Sequence, residues 1–193
     1  MCFIVQTIYY TANNYLTMKN WDNEYPKSSE YAHFYSSYVN NVPKENVISL
    51  LNSQMHEFYT IANAIRGDKA LTPYADGKWT LKQMIGHMIE TERVFAYRAL
   101  SISRADKTPL PGMDQDEWMK DSNYNSRSVA NLCNEYLAVR TSTIHLFQNM
   151  TPKMINRRGI ASEFEFSVRA LAFIIAGHEL HHLDIIRENY LKE

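Results

Sequence analysis

Two histidines one helical turn apart stand out near the end of the chain. The stretch His178-Glu179-Leu180-His181-His182 reads as H-E-x-x-H, the motif in which zinc peptidases bind a metal through both histidines and use the glutamate to activate water. The extended form of that motif needs glycine and then histidine at the positions that Ile185 and Glu188 occupy here. The spacing therefore predicts a metal site but does not favour a peptidase.

The same histidines fall on the apolar face of a predicted helix. At about 100° per residue, His178 and His182 lie within the apolar stripe, whereas His181 lies about 60° from His178 at its edge. Glu179 lies about 100° from His178, so we expect it beside the ligands or at the surface and assign it no catalytic role. Two core-facing imidazoles need hydrogen bonds or a metal, and a hydrogen-bonded core pair is the alternative interpretation. The stripe is formed by Leu171, Ile174, Ile175, Ile185 and Ile186.

A third ligand has to come from elsewhere in the chain. His87 follows Gly86 in a second helical segment and lies among apolar residues, so it is the best candidate. His33, His56 and His145 occupy positions where a solvated or singly hydrogen-bonded histidine is expected. The predicted metal ligands are therefore His87, His178 and His182.

Four long helical segments position these histidines. Apolar residues recur at helical spacing, and Pro-rich or Gly-rich turns separate the segments. No stretch shows convincing strand alternation, and residues 157–166 are predicted as a loop or a small hairpin. The pattern predicts an all-α four-helix bundle, with a weaker signal for a short helix between Glu30 and Val39. The helices are predicted from Pro43 to Gly67, from Trp79 to Ser103, from Ser128 to Asn149 and from Ser167 to Leu191.

Composition limits the class of protein. The chain of 193 residues suits one well-buried domain, and its net charge of -1 gives no reason to expect nucleic-acid or membrane partners. The only cysteines, Cys2 and Cys133, are far apart, which favours a reducing compartment and hence a cytoplasmic location.

The first residues are apolar without forming a signal peptide. No Lys or Arg precedes Lys19, whereas a signal peptide needs a charged segment before its apolar run. We expect residues 1–41 to be an N-terminal extension, dispensable to about residue 17, and residues 42–193 to form the bundle domain.

Several longer stretches carry a family resemblance. They run from Gly77 to Gln83, from Gly86 to Ile89, from Glu92 to Leu100, from Lys107 to Gly112 and from Val168 to His182. In this order they closely resemble the DinB-like, YfiT-type superfamily over about residues 42–191. The resemblance implies an up-down-down-up four-helix bundle. It also implies a metal triad at His87, His178 and His182, with His181 as a neighbour and not a ligand.

The superfamily that the chain resembles includes hydrolases and thiol transferases that use bacillithiol, mycothiol or glutathione. The resemblance therefore implies two possible chemistries. Three neutral imidazoles leave a divalent metal, with zinc or nickel favoured, at least one open position. A low-molecular-weight thiol could then be activated for S-transfer to a small electrophile, which is the favoured function. The alternatives are a hydrolase using metal-bound hydroxide and a non-catalytic metal-binding interaction module.

The substrate and partners are less well defined by the sequence. A small-molecule substrate is expected, and the resemblance favours a homodimer. Arg157, Arg158 or Arg169 could bind a carboxylated thiol, although arginines near a loop are usually solvated. No catalytic base is assigned.

Overall fold

The computed structural model describes residues 21, 24–65 and 67–191 of the chain. Four long helices dominate it, and shorter helices and one hairpin lie between them. The elements are α1 (Ser36–Asn41), α2 (Val47–Ala64), α3 (Leu81–Ser103), α4 (Gln115–Lys120), α5 (Val129–Gln148), α6 (Pro152–Ile155), β1 (Arg158–Ala161), β2 (Phe164–Ser167) and α7 (Val168–Asn189).

Polar side chains fix where the long helices begin. The Thr80 side chain accepts a hydrogen bond from the Gln83 backbone amide, and the Gln83 side-chain oxygen accepts one from the Thr80 backbone amide, which forms a capping box. Ser128 and Ser167 cap α5 and α7 through one accepted backbone hydrogen bond each, without the reciprocal bond. Helix α2 begins at Val47, later than the predicted start near Pro43, because the Asn46 side chain accepts bonds from the next free backbone amides.

The four long helices form an up-down-down-up bundle, as predicted. Each of α2 and α3 packs against both α5 and α7. The start of α3 meets the end of α7, where the Tyr190 hydroxyl donates to the Trp79 carbonyl at 2.9 Å, so these helices are antiparallel. Near the middle of α2, Gln54 donates to the Ala176 carbonyl at 2.8 Å, whereas Glu57, further along α2, pairs with Arg187. Helices α2 and α7 are therefore parallel.

The parallel pair formed by α3 and α5 requires a long return connection. Ile85 and Leu132 share one apolar cluster, and Ala99 and Phe147 share the other, so both helices run in the same direction. The chain must therefore travel back along the bundle over about 34 Å, the length of a 23-residue helix. Residues 104–128 make this crossover and include α4.

Buried polar groups lie between the two apolar clusters. Arg140 of α5 contacts Glu92 of α3 and Glu179 of α7, and it donates to the Leu51 carbonyl of α2 at 3.2 Å. This group of residues, with Tyr136 and Gln54, is called the polar layer below. It connects all four long helices at one level of the bundle.

The short segment before α7 is a two-stranded antiparallel hairpin, the second of the two structures that the sequence left open. Its register pairs Arg158 with Ser167 and Ala161 with Phe164. The turn residues Ser162 and Glu163 have φ values of 49° and 70°, which suits a tight two-residue turn. The crossover joins the hairpin where Leu110 bridges to Ala161.

The segment before α2 packs on the bundle. Trp21 donates from its indole nitrogen to the Phe147 carbonyl at 2.9 Å, and α1 packs against α7. The predicted short helix near residues 30–39 corresponds to α1 and two preceding 3-10 turns. The predicted leader to residue 17 lies outside the described residues, and the boundary at residues 41 and 42 stays a prediction. None of the described helices combines the length and apolar character needed to cross a bilayer.

Candidate metal centre

The three predicted ligands meet in the bundle core. The Nε2 atom of His87 lies 3.0 Å from that of His178, and the Nε2 atom of His182 lies 3.0 Å from the same atom. Their exposed fractions are 3%, 7% and 8% for His87, His178 and His182. The candidate ligand atoms all lie within 4.8 Å of one another. Helices α3 and α7 thus bring together residues that are 91 positions apart in the chain.

The donor set fits a metal better than it fits a hydrogen-bonded cluster. A neutral imidazole has one N–H donor and one acceptor lone pair, so the Nε2 atom of His178 cannot make good hydrogen bonds to both neighbouring Nε2 atoms. A metal held at about 2.0–2.1 Å by each nitrogen separates adjacent donors by roughly 3 Å, as found here. The positions of the three histidine side chains are therefore compatible with a three-histidine metal site. That these histidines bind a metal stays a prediction.

Burial keeps these imidazoles neutral. Desolvation, with a smaller contribution from neighbouring His181, lowers the pKa of His87 to about 4. Desolvation, followed by the influence of His87, lowers the pKa of His182 to about 3. The pKa of His178 falls well below its ordinary value for the same reason, with His182 as the next cause. At neutral pH all three rings are therefore uncharged, and each has one nitrogen lone pair that can bind a metal.

Close packing on the neighbouring residues positions two of the three rings. A Cβ atom at Gly86 would lie 2.3 Å from the ring of Tyr124, and one at Gly177 would lie 2.0 Å from the carbonyl oxygen of Tyr38. Only glycine admits such contacts, so the glycine before His87 admits a ring of the crossover and the glycine before His178 admits the backbone of α1. The two histidine-bearing turns are thereby fixed against other parts of the fold.

Hydrogen bonding at the second ring nitrogen differs between the ligands. The Nδ1 atom of His87 lies 3.3 Å from the Thr91 hydroxyl, and a ring whose Nε2 lone pair faces the site carries its proton on Nδ1, where it can donate to Thr91. Trp79 packs on the same ring with centroids 4.9 Å apart. The Nδ1 atom of His182 is buried and has no hydrogen-bond partner among the described residues.

The neighbouring His181 lies beside the triad, 5.1 Å from the His182 ring between centroids, but is not among the grouped candidate ligands. It is half-buried, and its ring lies beside Tyr38, with centroids 5.4 Å apart. The remaining histidines, His33, His56 and His145, are exposed.

Glu179 is part of the polar layer, and its carboxylate is paired there. It is 2% exposed, accepts a hydrogen bond from the Tyr136 hydroxyl and forms an ion pair with Arg140. Burial raises its pKa, Arg140 opposes that rise, and Glu92 adds to it. Of the two positions expected from the sequence, beside the ligands or at the surface, the surface is excluded. The glutamate is engaged elsewhere and is not placed to serve as the base of a peptidase.

A small void separates the triad from the polar layer. It has a volume of about 10 Å³, which is roughly the room that one water molecule needs. Its lining includes His178 and, from the polar layer, Glu92, Tyr136, Arg140 and Glu179. The void is too small for a substrate.

A larger cavity reaches the triad from the other side. It has a volume of about 400 Å³ and includes His87 and His178 in its walls. Its walls come from α3, from aromatic rings of α1 and the preceding turn, from the crossover and from the hairpin turn. The other lining residues are Phe34, Tyr35, Tyr38, Thr91, Val94, Phe95, Arg98, Gly112, Met113, Gln115 and Ser162.

The arginines considered from the sequence lie away from this cavity. Arg157 donates to the Ser103 carbonyl, Arg158 pairs with Glu165 and Arg169 pairs with glutamates before α1. None of them is among the cavity's lining residues. Sequence reasoning missed Arg98, which does line it. Its position was readable, because eleven residues, about three helical turns, place it on the same face of α3 as His87.

Comparison with known proteins identifies the family and the fold of this chain. Residues 50–186 match the family model of the DinB superfamily. A candidate metal-dependent hydrolase of Oceanobacillus iheyensis is 22% identical over 129 residues, which cover 65% of this chain and 72% of that protein. The structure of YfiT from Bacillus subtilis, described as a probable metal-dependent hydrolase with an unusual four-helix bundle topology, superposes with a TM-score of 0.62. That match covers 84% of this chain and 89% of YfiT at 15% identity, and it shows a shared fold. Because the family model spans most of the chain, this protein belongs to the DinB superfamily.

Proposed function

We propose that this protein is a metal-dependent enzyme that transfers a small thiol to an electrophilic small molecule. The observation that carries the proposal is the cavity of about 400 Å³ that reaches His87 and His178, while the nearest buried carboxylates, Glu92 and Glu179, are occupied by Arg140. A reaction at this site therefore relies on a nucleophile that needs no carboxylate base. A thiol suits this requirement, because its ordinary pKa of about 8.5 is lowered readily near positive charge.

The histidines supply neutral ligands and leave room for a reactant. His87, His178 and His182 would hold the metal, and the cavity lies against two of them. When bound, a divalent metal supplies positive charge that lowers the pKa of a coordinated thiol or water. Thr91 orients the His87 ring through Nδ1. Zinc or nickel is the favoured metal, because imidazole ligands suit both.

The aromatic walls favour an apolar electrophile and exclude water. Phe34, Tyr35, Tyr38 and Phe95 line the cavity. The Tyr35 ring packs against the Phe95 ring with centroids 5.6 Å apart, and Tyr38 packs edge-on against His178 at 5.4 Å. Burial raises the pKa of both Tyr35 and Tyr38. Their hydroxyls therefore stay protonated near neutral pH and can donate hydrogen bonds to a substrate.

A hydrolase is the second candidate, and the relatives favour it. Both the Oceanobacillus protein and YfiT are described as metal-dependent hydrolases. The same three ligands would serve hydrolysis, with water in place of the thiol as the nucleophile.

The test combines metal binding with activity. We expect His87→Ala, His178→Ala and His182→Ala each to weaken zinc binding by at least about 100-fold, because each removes one of the three proposed ligands. Loss of a residue that only hydrogen-bonds to a ligand already weakens metal affinity by up to about 100-fold. His181→Ala is the matched control and should bind zinc normally. Zinc titration calorimetry of untagged protein measures this. Loss of binding in His181→Ala, or normal binding in His87→Ala, would contradict the ligand assignment.

Activity assays separate the reactions. Metal-dependent consumption of a thiol with a chlorodinitrobenzene-type electrophile is expected for S-transfer, whereas turnover of nitrophenyl esters without thiol would favour hydrolysis. Metal binding without either activity would favour a non-catalytic metal-binding module.

A further inference from the structure

Arg98 is a buried cation without an anionic partner. Its side chain belongs to a residue that is 3% exposed, and its Nη2 atom donates to the Pro111 carbonyl at 2.9 Å and to the Ser162 hydroxyl oxygen at 2.8 Å. Its Nε atom is buried with no hydrogen-bond partner, and no carboxylate of the described residues lies within ion-pair distance. Buried charges are normally paired. Of the other buried arginines, Arg140 and Arg169 each contact two glutamates.

The unpaired charge lies in the wall of the same cavity as the histidines. His87 and Arg98 occupy one face of α3, with their Cα atoms about 16 Å apart along the helix. Side chains on a helix lean toward its N-terminus, so the arginine extends along the cavity toward the histidines. Thr91 and Val94 lie between them and also line the cavity.

Neighbouring groups can complete an anion site. The Ser162 oxygen accepts a bond from Arg98, so its own hydroxyl proton is free to donate to a ligand. The guanidinium carbon of Arg98 lies 5.3 Å from the centre of the Phe95 ring, within the range of a cation–π contact, and Phe95 also lines the cavity. Burial lowers the pKa of Arg98 and Tyr35 opposes that change, but an arginine keeps its charge at neutral pH.

We propose that Arg98 and Ser162 form a carboxylate-binding subsite and that the substrate is an elongated molecule with a carboxylate at one end and its reacting group at the other. This inference rests on the proposed function, because it takes the histidines as the reacting end. The distance along α3 and the aromatic walls suit a ligand about as long as an acylated amino acid. The apolar middle of such a ligand would lie against Phe34, Tyr35 and Phe95.

Equilibrium binding to metal-free protein tests the subsite. N-benzoylglycine and its uncharged amide, N-benzoylglycinamide, differ only in the carboxylate, and removing the metal prevents the carboxylate from binding there instead. By titration calorimetry in EDTA, we expect wild-type protein to bind the acid at least about tenfold more tightly than the amide. Arg98→Met should remove that preference. Arg157→Met is the matched control, because Arg157 also donates to a main-chain carbonyl but lies outside the cavity, and it should keep the preference.

The proposal is overturned if wild-type protein binds the acid and the amide equally or binds neither. It is also overturned if folded Arg98→Met keeps the preference. Should Arg98→Met fail to fold, Arg98→Lys and Ser162→Ala take its place, and a preference unchanged in both of them overturns the proposal. Because no metal or turnover is involved, a failure here leaves the proposed function standing. Conversely, tighter binding of the acid than of the amide, in a protein without catalytic activity, would support the carboxylate subsite. That result would count only against the proposed function.

Discussion

Adjacent histidines of α7 occupy different surroundings because a helix turns about 100° per residue. His182 is 8% exposed and lies in the triad, whereas His181 is half-buried beside Tyr38. The sequence predicts this difference, since the position of each residue relative to the apolar stripe follows from spacing alone.

Roles that depend on a second helix were not readable in the same way. Helical spacing places Glu179 at the edge of the apolar stripe, but only the three-dimensional fold shows that Tyr136 and Arg140 face it. The same limit applies to Arg98, whose significance lies in the lack of an acidic partner among the described residues. A list of one helix's residues cannot show what the other helices place opposite them.

The low pKa values of the triad predict a pH-dependent stability for the metal-free protein. The pKa values of His87 and His182 fall to about 4 and about 3 on folding, from about 6.5 in the unfolded chain. The unfolded chain therefore binds more protons below pH 6.5. We expect the free energy of unfolding to fall as the pH drops from 6.5 toward 4, by up to about 1.4 kcal/mol per pH unit for each histidine.

Urea unfolding of EDTA-treated protein at several pH values measures this slope. His87→Gln removes one titrating ligand and should show a correspondingly shallower slope between pH 6.5 and 4.5. The raised pKa of Glu179 acts in the opposite direction, but it does so in both proteins and cancels in the comparison. Equal slopes for the variant and the wild type would contradict the prediction.

At the scale of elements, the polar layer holds the four helices at one level. Arg140 makes two hydrogen bonds to Glu92, at 2.9 Å and 2.8 Å, and also pairs with Glu179. These contacts reach both α3 and α7, so sliding either helix along α5 would separate a buried charge from its partner. Apolar side chains alone tolerate such shifts more easily.

Removing the central cation should therefore destabilise the bundle strongly. We expect Arg140→Met to lower the free energy of unfolding by about 3–5 kcal/mol, because it leaves buried carboxylates without their partner. Chemical denaturation measures the loss. Arg93→Met is the matched control, because Arg93 pairs with Glu135 while its side chain is 51% exposed, and its loss should cost less than about 1 kcal/mol. A similar cost for both variants would show that the polar layer has no special importance.

The positions of the long helices were largely predictable from the sequence. Capping residues such as Thr80 and Ser167 mark their starts, and regular apolar spacing marks their buried faces. The sequence could not decide between a loop and a hairpin at residues 157–166. Its strands are only four residues long and are held partly by the bridge from Leu110 to Ala161.

For the whole molecule, a bound metal should add to a bundle that already folds without it. Two apolar clusters supply a core that does not depend on the triad. Free zinc at a hundredfold excess over its dissociation constant should stabilise the folded state by about 2.7 kcal/mol. In a chain of this size, each kcal/mol of stabilisation raises Tm by roughly 2–4 °C.

Differential scanning calorimetry with zinc and with EDTA measures the shift, and circular dichroism follows the helices. We expect helical content to survive EDTA, unlike that of a small zinc-dependent fold. His178→Ala is the control and should show no zinc-dependent rise in Tm. An unchanged Tm for the wild type after verified metal removal would argue against a metal site in the core.

The crossover between the parallel helices α3 and α5 lines the cavity without contributing any of the three histidines. Gly112, Met113 and Gln115 of this connection line the cavity, whereas all three histidines belong to the long helices. We therefore expect replacement of residues 111–116 to leave the three histidines and the polar layer largely undisturbed. We expect substrate range within this superfamily to diverge through such loop replacements, and grafting this short stretch is a direct route to redesigning selectivity on an unchanged scaffold.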